Sequence, residues 1–189
     1  PDDQGTTRAS IARVMGGQPH NDFCNRYLHK DGTTVHILWS ARYSEEDGVR
    51  IGVARDVTAQ RQAEDKLRFL AHHDPLTGLA NRLLFHERLE SAMLSAHRHQ
   101  SSLALLFLDL NDFKQINDAH GHATGDRVLC KIAGRLVGCV RETDTVARMG
   151  GDEFTVLLTD IQSAEAVSEK VEQIIAAVTA PLGAEFGNI

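Results

Sequence analysis

Three carboxylates stand where strands of a predicted sheet end. An apolar run at residues 103–108 is followed directly by Asp109, and Asp152 and Glu153 follow two glycines between two further predicted strands. A buried strand that ends in a carboxylate presents that group at the edge of a sheet, where ligands commonly bind. Two glycines in a turn permit a positive φ and a close approach of a ligand to the backbone.

Carboxylates from separate elements suit a hard divalent cation. Mg²⁺ binds carboxylate oxygens and keeps coordination positions open for phosphate oxygens. Each feature alone has a structural explanation, since Asp109 could cap the next helix and an acidic hairpin tip would give the second pattern. Together they predict a magnesium site for a phosphorylated ligand.

The charge distribution bounds the ligand further. The chain has 26 acidic and 20 basic side chains, a net charge of −6, and all of that net charge lies in residues 74–189. Proteins that bind duplex DNA or RNA rely on basic surface to displace counterions. We therefore expect no nucleic-acid partner, whereas a nucleotide can bind if a metal ion supplies the positive charge.

Alternating apolar patterns predict the elements that position these groups. Helices are predicted at residues 82–97, from near 112, at 124–139 and at 163–178, and strands at 103–109, 143–149 and 154–159. Asn81, Thr124 and Ser163 are the predicted N-caps. The order predicts an α/β chain with an α+β, ferredoxin-like core, which requires one more strand after the last helix. The chain ends at Ile189, where we expect that strand to begin, so we expect an incomplete core and an inactive fragment.

The first 73 residues differ in texture. Residues 1–20 are polar and give little periodic signal. Residues 23–57 predict three antiparallel strands with a hairpin turn at Asp31-Gly32, and residues 58–73 predict a helix. Ala63, Leu67 and Leu70 form a seam on that helix, which either pairs with a second copy or packs on its own domain.

Cysteine usage gives no framework. Cys24, Cys130 and Cys139 have no metal-ligand spacing, which indicates reduced thiols and a cytoplasmic protein. We expect Cys130 and Cys139 to be buried in a helix. No apolar run is long enough to span a membrane, so membrane contact is expected only through segments outside this chain.

Four ordered motifs resemble the GGDEF family of diguanylate cyclases. They are DPLTGLANR at 74–82, LDLNDFK at 108–114, NDAHGHATGD at 117–126 and RMGGDEF at 148–154. The resemblance implies a nucleotidyl cyclase-like fold and an enzyme that joins two GTP molecules into cyclic di-GMP as a homodimer, with two Mg²⁺ or Mn²⁺ ions per active site.

The resemblance also implies roles for single residues around the metals. Asp109, Asp152 and the carbonyl oxygen of Leu110 are the implied metal ligands. Asp152 or Glu153 assists deprotonation of the attacking hydroxyl, and we favour Asp152. Lys114 is a compact positive charge suited to the triphosphate, as are backbone N–H groups at the start of a helix, namely those of Asn111, Asp112 and Phe113.

Two further pairs match base-binding positions of the family. Asn117 and Asp126 are the implied guanine readers, because a carboxylate can accept hydrogen bonds from guanine N1–H and N2–H₂ together, whereas adenine would leave it unpaired. Arg141 and Asp144 match the family's inhibitory site for cyclic di-GMP. An exposed ion pair at the start of a strand would give the same sequence pattern.

Residues 1–57 resemble the C-terminal half of a PAS sensor domain. Arg26-Tyr27, Lys30-Asp31-Gly32, Trp39-Ser40 and Arg55-Asp56-Val57-Thr58 occur in the PAS order. The predicted organisation is a partial PAS domain at 1–57, a signalling helix at 58–73 and a GGDEF domain at 74–189. Two alternatives stay open: a GGDEF module in a GGDEF-EAL protein whose net activity is cyclic di-GMP hydrolysis, and a non-enzymatic module that binds GTP or cyclic di-GMP.

Overall fold

The computed structural model describes residues 2–182, and the chain divides between Leu67 and Arg68 into two units. The first unit has a helix followed by three strands: α1 (Gln4–Met15), β1 (His20–Leu28), β2 (Thr34–Ser44) and β3 (Val49–Asp56). The strands form one antiparallel sheet in the order β1-β2-β3. The three predicted antiparallel strands are therefore confirmed.

The turn at Asp31-Gly32 forms as its sequence predicts. Gly32 has a φ of +88°, a value that glycine adopts without steric cost. The Asp31 carboxylate accepts hydrogen bonds from the Thr33 amide at 2.9 Å and from the Thr33 hydroxyl at 2.7 Å. These local bonds fix the register of β1 against β2.

Helix α1 was not predicted, because its sequence is mostly polar and its apolar periodicity is weak. Of its residues only Val14 is buried. Its start is held by side-chain contacts that periodicity does not reveal. Arg26 of β1 donates through Nη2 to Asp3 Oδ1 at 2.6 Å, and the Asp3 carbonyl oxygen accepts from the Thr7 hydroxyl at 2.6 Å. The hydrogen bonds from Arg26 lower the pKa of Asp3 to about 2.

Helix α2 (Thr58–His72) follows the first sheet. It starts where the Thr58 amide donates to Asp56 Oδ1 at 2.9 Å and the Thr58 hydroxyl accepts from the His36 amide at 2.8 Å. The helix contains no buried residue, and Leu67, Phe69 and Leu70 are all exposed. Its pairing with a second copy stays a prediction.

The second unit contains a mixed α/β fold. Its elements are α3 (Arg82–His99), β4 (Ser102–Asp109), α4 (Phe113–His120), α5 (His122–Cys139), β5 (Thr145–Gly150), β6 (Glu153–Ile161) and α6 (Ala164–Thr179). The three strands form an antiparallel sheet in the order β4-β6-β5. The predicted order β–α–α–β–β–α is confirmed, whereas the predicted last strand near Ile189 lies outside the described residues.

Two of the three predicted helix caps are confirmed. Asn81 accepts a hydrogen bond from the Leu84 amide at 3.0 Å, and Ser163 accepts one from the Ala166 amide at 3.3 Å. The prediction that Thr124 caps α5 is wrong. The helix begins two residues earlier, at His122, because Gly121 takes a φ of +80° and separates α5 from α4.

The sheet has an apolar core on each face. On one face Phe154 and Val156 pack against Leu129 and Leu136 of α5 and Ile174 of α6. On the other face, the cluster comprises Phe85 of α3 together with Ala80, Ala147 and Leu157. Burial on both faces holds β5 and β6 as a platform for the turns at their ends. The expectation that the strand ending at Asp109 is buried is wrong: β4 contains no buried residue and its Phe107 is 77% exposed, because β4 lies at the edge of the described sheet.

The cysteine prediction was half wrong. Cys139 is half-buried, but Cys130 is exposed on α5. Its thiol lies 3.3 Å from the carbonyl oxygen of Leu76 and donates to it. Cys130 lies beside the buried residues of α5, and the helical periodicity did not show that it falls just outside the buried face.

Candidate active site

The turn between β5 and β6 requires glycine twice. Gly150 has a φ of +148° and Gly151 a φ of +55°, and both values fall where side chains are strained. Gly150 pairs with Glu153 across the hairpin. The turn therefore presents Asp152 and Glu153 at the end of the sheet with no side chain before them.

The sheet register places Asp109 beside Glu153. They are paired residues of β4 and β6, and directly opposed residues of an antiparallel pair project on the same face. Both line a groove of about 550 Å³ together with Arg82 and His86 of α3. Asp152 lies one residue earlier, in the turn, and is half-buried. The three predicted carboxylates thus belong to the same end of the sheet, where Asp109 and Glu153 are directly paired and Asp152 lies in the adjoining turn.

This donor set fits Mg²⁺ or Mn²⁺. The donors are carboxylates and the carbonyl oxygen of Leu110, which accepts a hydrogen bond from the Phe113 amide at 3.3 Å and has a second lone pair. Within residues 2–182, no three His, Cys, Asp or Glu side chains cluster as a ready metal cage. The remaining coordination would come from water and phosphate oxygens, as Mg²⁺ prefers.

The loop between β4 and α4 contains one residue, Asp112, in a strained backbone conformation. Asp112, at the N-cap of α4, has a φ of +60° and a ψ of 17°, the left-handed conformation that Asp and Asn tolerate better than other residues with a side chain. Gln115 Nε2 donates to Asp112 Oδ1 at 2.6 Å and holds the loop. Of the predicted phosphate-binding amides, that of Phe113 already donates to Leu110. Asn111 is exposed in the same loop.

Helices α4 and α5 carry the remaining predicted ligand residues. Lys114 is exposed in the first turn of α4, Asn117 is half-buried further along that helix, and Asp126 is exposed in the first part of α5. The buried residue Gly125 lies where the Asn117 side chain packs on α5. The two helices therefore bring Asn117 next to the position that precedes Asp126.

Asp144 has a structural role that its sequence pattern did not reveal. It is 8% exposed. Its Oδ2 accepts from the Arg141 amide at 3.0 Å, and its Oδ1 accepts from the Thr159 amide at 3.0 Å. The carboxylate thus ties the turn before β5 to β6, while the Arg141 side chain is exposed. The two residues are neighbours, but their contact runs through the Arg141 backbone.

Sequence reasoning missed the contact that anchors the signature turn. Arg148 Nη1 donates to Asp74 Oδ1 at 3.0 Å and Oδ2 at 3.1 Å, and Arg148 Nη2 donates to the Gly151 carbonyl oxygen at 2.7 Å. Thr77 donates to the same Asp74 carboxylate through its amide and its hydroxyl, at 2.7 Å each. Both ends of this contact lie inside quoted motifs, and their opposite charges were the only available signal.

Comparisons with known proteins identify the family of this chain. Residues 71–186 match the profile described as diguanylate cyclase, GGDEF domain. The chain belongs to the GGDEF family. Within it, the chain is 48% identical over 118 residues to diguanylate cyclase TpbB of Pseudomonas aeruginosa, an alignment that covers 62% of this chain and 27% of TpbB.

Two further relatives extend the comparison. Diguanylate cyclase DgcM of Escherichia coli is 35% identical over 173 residues, which cover 89% of this chain and 42% of DgcM. The bifunctional diguanylate cyclase/cyclic di-GMP phosphodiesterase MucR of Pseudomonas aeruginosa is 42% identical over 124 residues, 66% of this chain and 18% of MucR. The chain thus spans less than half the length of these relatives.

A solved structure supports the GGDEF fold directly. The structure of a shortened form of TpbB from Pseudomonas aeruginosa, which comprises only its GGDEF domain, matches with a TM-score of 0.57 and 50% identity, over 58% of this chain and 64% of that structure. Separately, no helix within residues 2–182 is both long and apolar enough to cross a membrane.

Proposed function

We infer that the protein carrying this chain condenses two GTP molecules into cyclic di-GMP. In each half-reaction the 3′-hydroxyl oxygen of one GTP attacks the α-phosphorus of the other, a P–O bond forms, and pyrophosphate leaves with the electron pair of the broken bond. The observation that supports this best is the pairing of Asp109 with Glu153 at the double-glycine turn.

The carboxylates have two tasks in this proposal. Asp109, Asp152 and the Leu110 carbonyl oxygen hold two Mg²⁺ or Mn²⁺ ions, which offset the charge that develops on the phosphate oxygens. Asp152, or Glu153 beside it, accepts the proton of the attacking hydroxyl. Glu153 is the first residue of β6 and Asp152 directly precedes it in the turn, so both carboxylates belong to the same end of the sheet as Asp109.

The triphosphate and the base would be held by the two helices after β4. Lys114 would supply a positive charge to the triphosphate, and the backbone amides of Asn111 and Asp112 would supply N–H donors. Asn117 and Asp126 read guanine, since Asp126 can accept from N1–H and N2–H₂ while adenine would leave this carboxylate without a donor.

Homodimerisation completes the proposal, because each protomer would bind one GTP and the reaction needs two. Bringing two bound substrates into one geometry converts a bimolecular step into one within a complex. The exposed Leu67 and Leu70 on α2 provide an apolar seam for a parallel pair.

The first unit would control this activity as a PAS sensor. A cavity of about 290 Å³ lies between α1 and its sheet, and is lined by Phe23, Asn25 and Trp39 among others. Trp39 Nε1 donates to Asn25 Oδ1 at 3.0 Å, which fixes both side chains in the wall. The supporting observation is the order of helix and antiparallel strands, which agrees with the PAS resemblance.

Product formation tests the main proposal. The native protein is incubated with GTP and Mg²⁺, and the products are separated by chromatography and identified by mass spectrometry. We expect cyclic di-GMP and two equivalents of pyrophosphate per cyclic product, and no product when a chelator removes the metal. A dimeric native protein that binds GTP but forms no cyclic di-GMP would favour a non-enzymatic binding module instead.

The similarity to MucR supports a second candidate, in which a phosphodiesterase activity of the same protein degrades the product. Cyclic di-GMP would then be hydrolysed to the linear dinucleotide faster than GTP is condensed. Supplying cyclic di-GMP alone distinguishes the candidates: the linear product appears only if a phosphodiesterase is present.

A further inference from the structure

Gly125 is a glycine that its own helix does not require. It lies buried in the first turn of α5, and its backbone does not adopt a left-handed conformation. Glycine in a helix is less stable than alanine, because it loses more backbone freedom on folding. Any structural reason for glycine at this position therefore lies outside the backbone of α5, and the space around Gly125 supplies one.

The space that a side chain would fill at Gly125 is occupied by α4. A Cβ atom at this position would overlap Oδ1 of Asn117, lie 3.0 Å from Asn117 Cγ and lie 3.1 Å from Phe113 Cζ. By contrast, a Cβ atom at Gly134 or Gly138 of the same helix meets nothing within 4 Å. The close approach is therefore specific to Gly125.

We propose that Gly125 is a positioning residue for guanine recognition, which lets the Asn117 carboxamide lie against α5 next to Asp126. The inference rests on the proposed function, in which Asn117 and Asp126 read the base. Asn117 touches substrate in that proposal, whereas Gly125 acts only through Asn117. Gly125 would thus set the position of Asn117 relative to Asp126.

The nature of the overlap separates this role from folding. All three atoms that would be crowded belong to side chains and not to backbone. A change of the Asn117 side-chain torsions, with a shift of a few tenths of an ångström in the Phe113 ring, therefore relieves the overlap while α4 and α5 stay packed. The Gly125→Ala substitution should therefore displace the base-reading group and leave the fold intact. A glycine needed for helix packing alone would show the opposite result.

The test compares Gly125→Ala with Gly134→Ala in the native protein, using GTP and inosine triphosphate, which lacks the guanine 2-amino group. We expect Gly125→Ala to raise the KM for GTP about tenfold, as the loss of one good hydrogen bond would, with a smaller change in kcat and a narrowed preference for GTP over inosine triphosphate. Gly134→Ala should leave both unchanged. Melting temperatures measured in parallel should show that both variants are folded.

A double-variant cycle tests whether the effect passes through Asn117. Asn117→Ala removes the atoms that would collide, so adding Gly125→Ala to it should raise the KM no further. Equal effects of Gly125→Ala with and without Asn117 would overturn the inference, as would an unchanged KM and base preference in Gly125→Ala. If Asn117→Ala alone leaves the KM and the base preference intact, the guanine assignment of Asn117 fails as well. GTP binding by calorimetry gives the same comparison in a protein that binds without turnover.

Discussion

Arg148 binds the Asp74 carboxylate with one guanidinium nitrogen, at 3.0 and 3.1 Å from its two oxygens. The pair is largely buried, with side chains 12% and 16% exposed. The same guanidinium donates to the Gly151 carbonyl oxygen. One side chain therefore fixes the signature turn to the segment that directly follows α2 in the sequence.

Replacing Arg148 by Lys should weaken both the fold and the activity. A lysine keeps the charge but cannot bridge Asp74 and Gly151 with a planar fork. We expect the free energy of unfolding to fall by about 2 kcal/mol, measured by urea denaturation, together with a reduced kcat. Glu87→Gln is the matched control, since Glu87 meets His72 only at 3.7 Å on the surface and its loss should cost less than about 0.5 kcal/mol.

The Asp74 carboxyl should make the stability of the second unit sensitive to acid. Partial burial opposes its ionisation, but hydrogen bonds from Thr77 and Arg148 outweigh this and keep the pKa of Asp74 below its ordinary value. Because the folded pKa is below the unfolded one, the stabilisation is complete above about pH 4 and is lost as the pH falls through the folded pKa. Asp74→Asn should be less stable than the parent at neutral pH and should lose less stability on acidification. If the free energy of unfolding fell equally with pH in the two proteins, the Asp74 carboxyl would contribute nothing to the acid sensitivity.

The left-handed conformation at Asp112 should restrict which residues are tolerated there. Asp112→Asn should cost under about 0.5 kcal/mol, whereas Asp112→Val should cost about 1–2 kcal/mol and weaken GTP binding, because a β-branched residue is strained at positive φ. Urea denaturation and calorimetric GTP titration measure the two effects. A Val variant as stable and as tight-binding as the Asn variant would mean that the loop has a different conformation in solution.

Mutations of Arg141 and of Asp144 should have different effects. Arg141→Ala should abolish inhibition by cyclic di-GMP and leave stability unchanged, because its side chain is exposed. Asp144→Ala should lower the free energy of unfolding by about 1–3 kcal/mol, since the amides of Arg141 and Thr159 would lose their acceptor. Unchanged affinity of Arg141→Ala for cyclic di-GMP would refute the inhibitory-site assignment.

Local signals predicted much of the second unit. The Asn81 cap, the strand that ends at Asp109 and the glycine turn before Asp152 each depend on residues close together in the sequence, and each was predicted. The joint between α4 and α5 was predicted two residues too late, because a hydroxyl at Thr124 is a better cap in isolation than Gly121, whose positive φ decides the boundary.

Long-range contacts were beyond the sequence. Arg148 and Asp74 are separated by most of the second unit, and no periodicity or spacing relates them. The overlap of Gly125 with Asn117 depends on the distance between two helix axes, which a helical pattern does not specify. Helix α1 was missed for a third reason: its sequence is mostly polar, and its start is held by the contact of Asp3 with Arg26 of β1.

The role of Asp109 is tested most directly by the rate of cyclic di-GMP formation from GTP in the native protein and in Asp109→Asn, over a series of Mg²⁺ concentrations. Asn is isosteric but neutral, so the sheet register with Glu153 is preserved while a metal ligand is weakened. We predict a loss on the order of 100-fold or more, with a shift to higher Mg²⁺ requirement, and no change in Glu169→Gln on the exposed surface of α6. An Asp109→Asn protein that keeps the parental rate and the parental Mg²⁺ dependence would contradict the assignment of a metal site to the paired ends of β4 and β6.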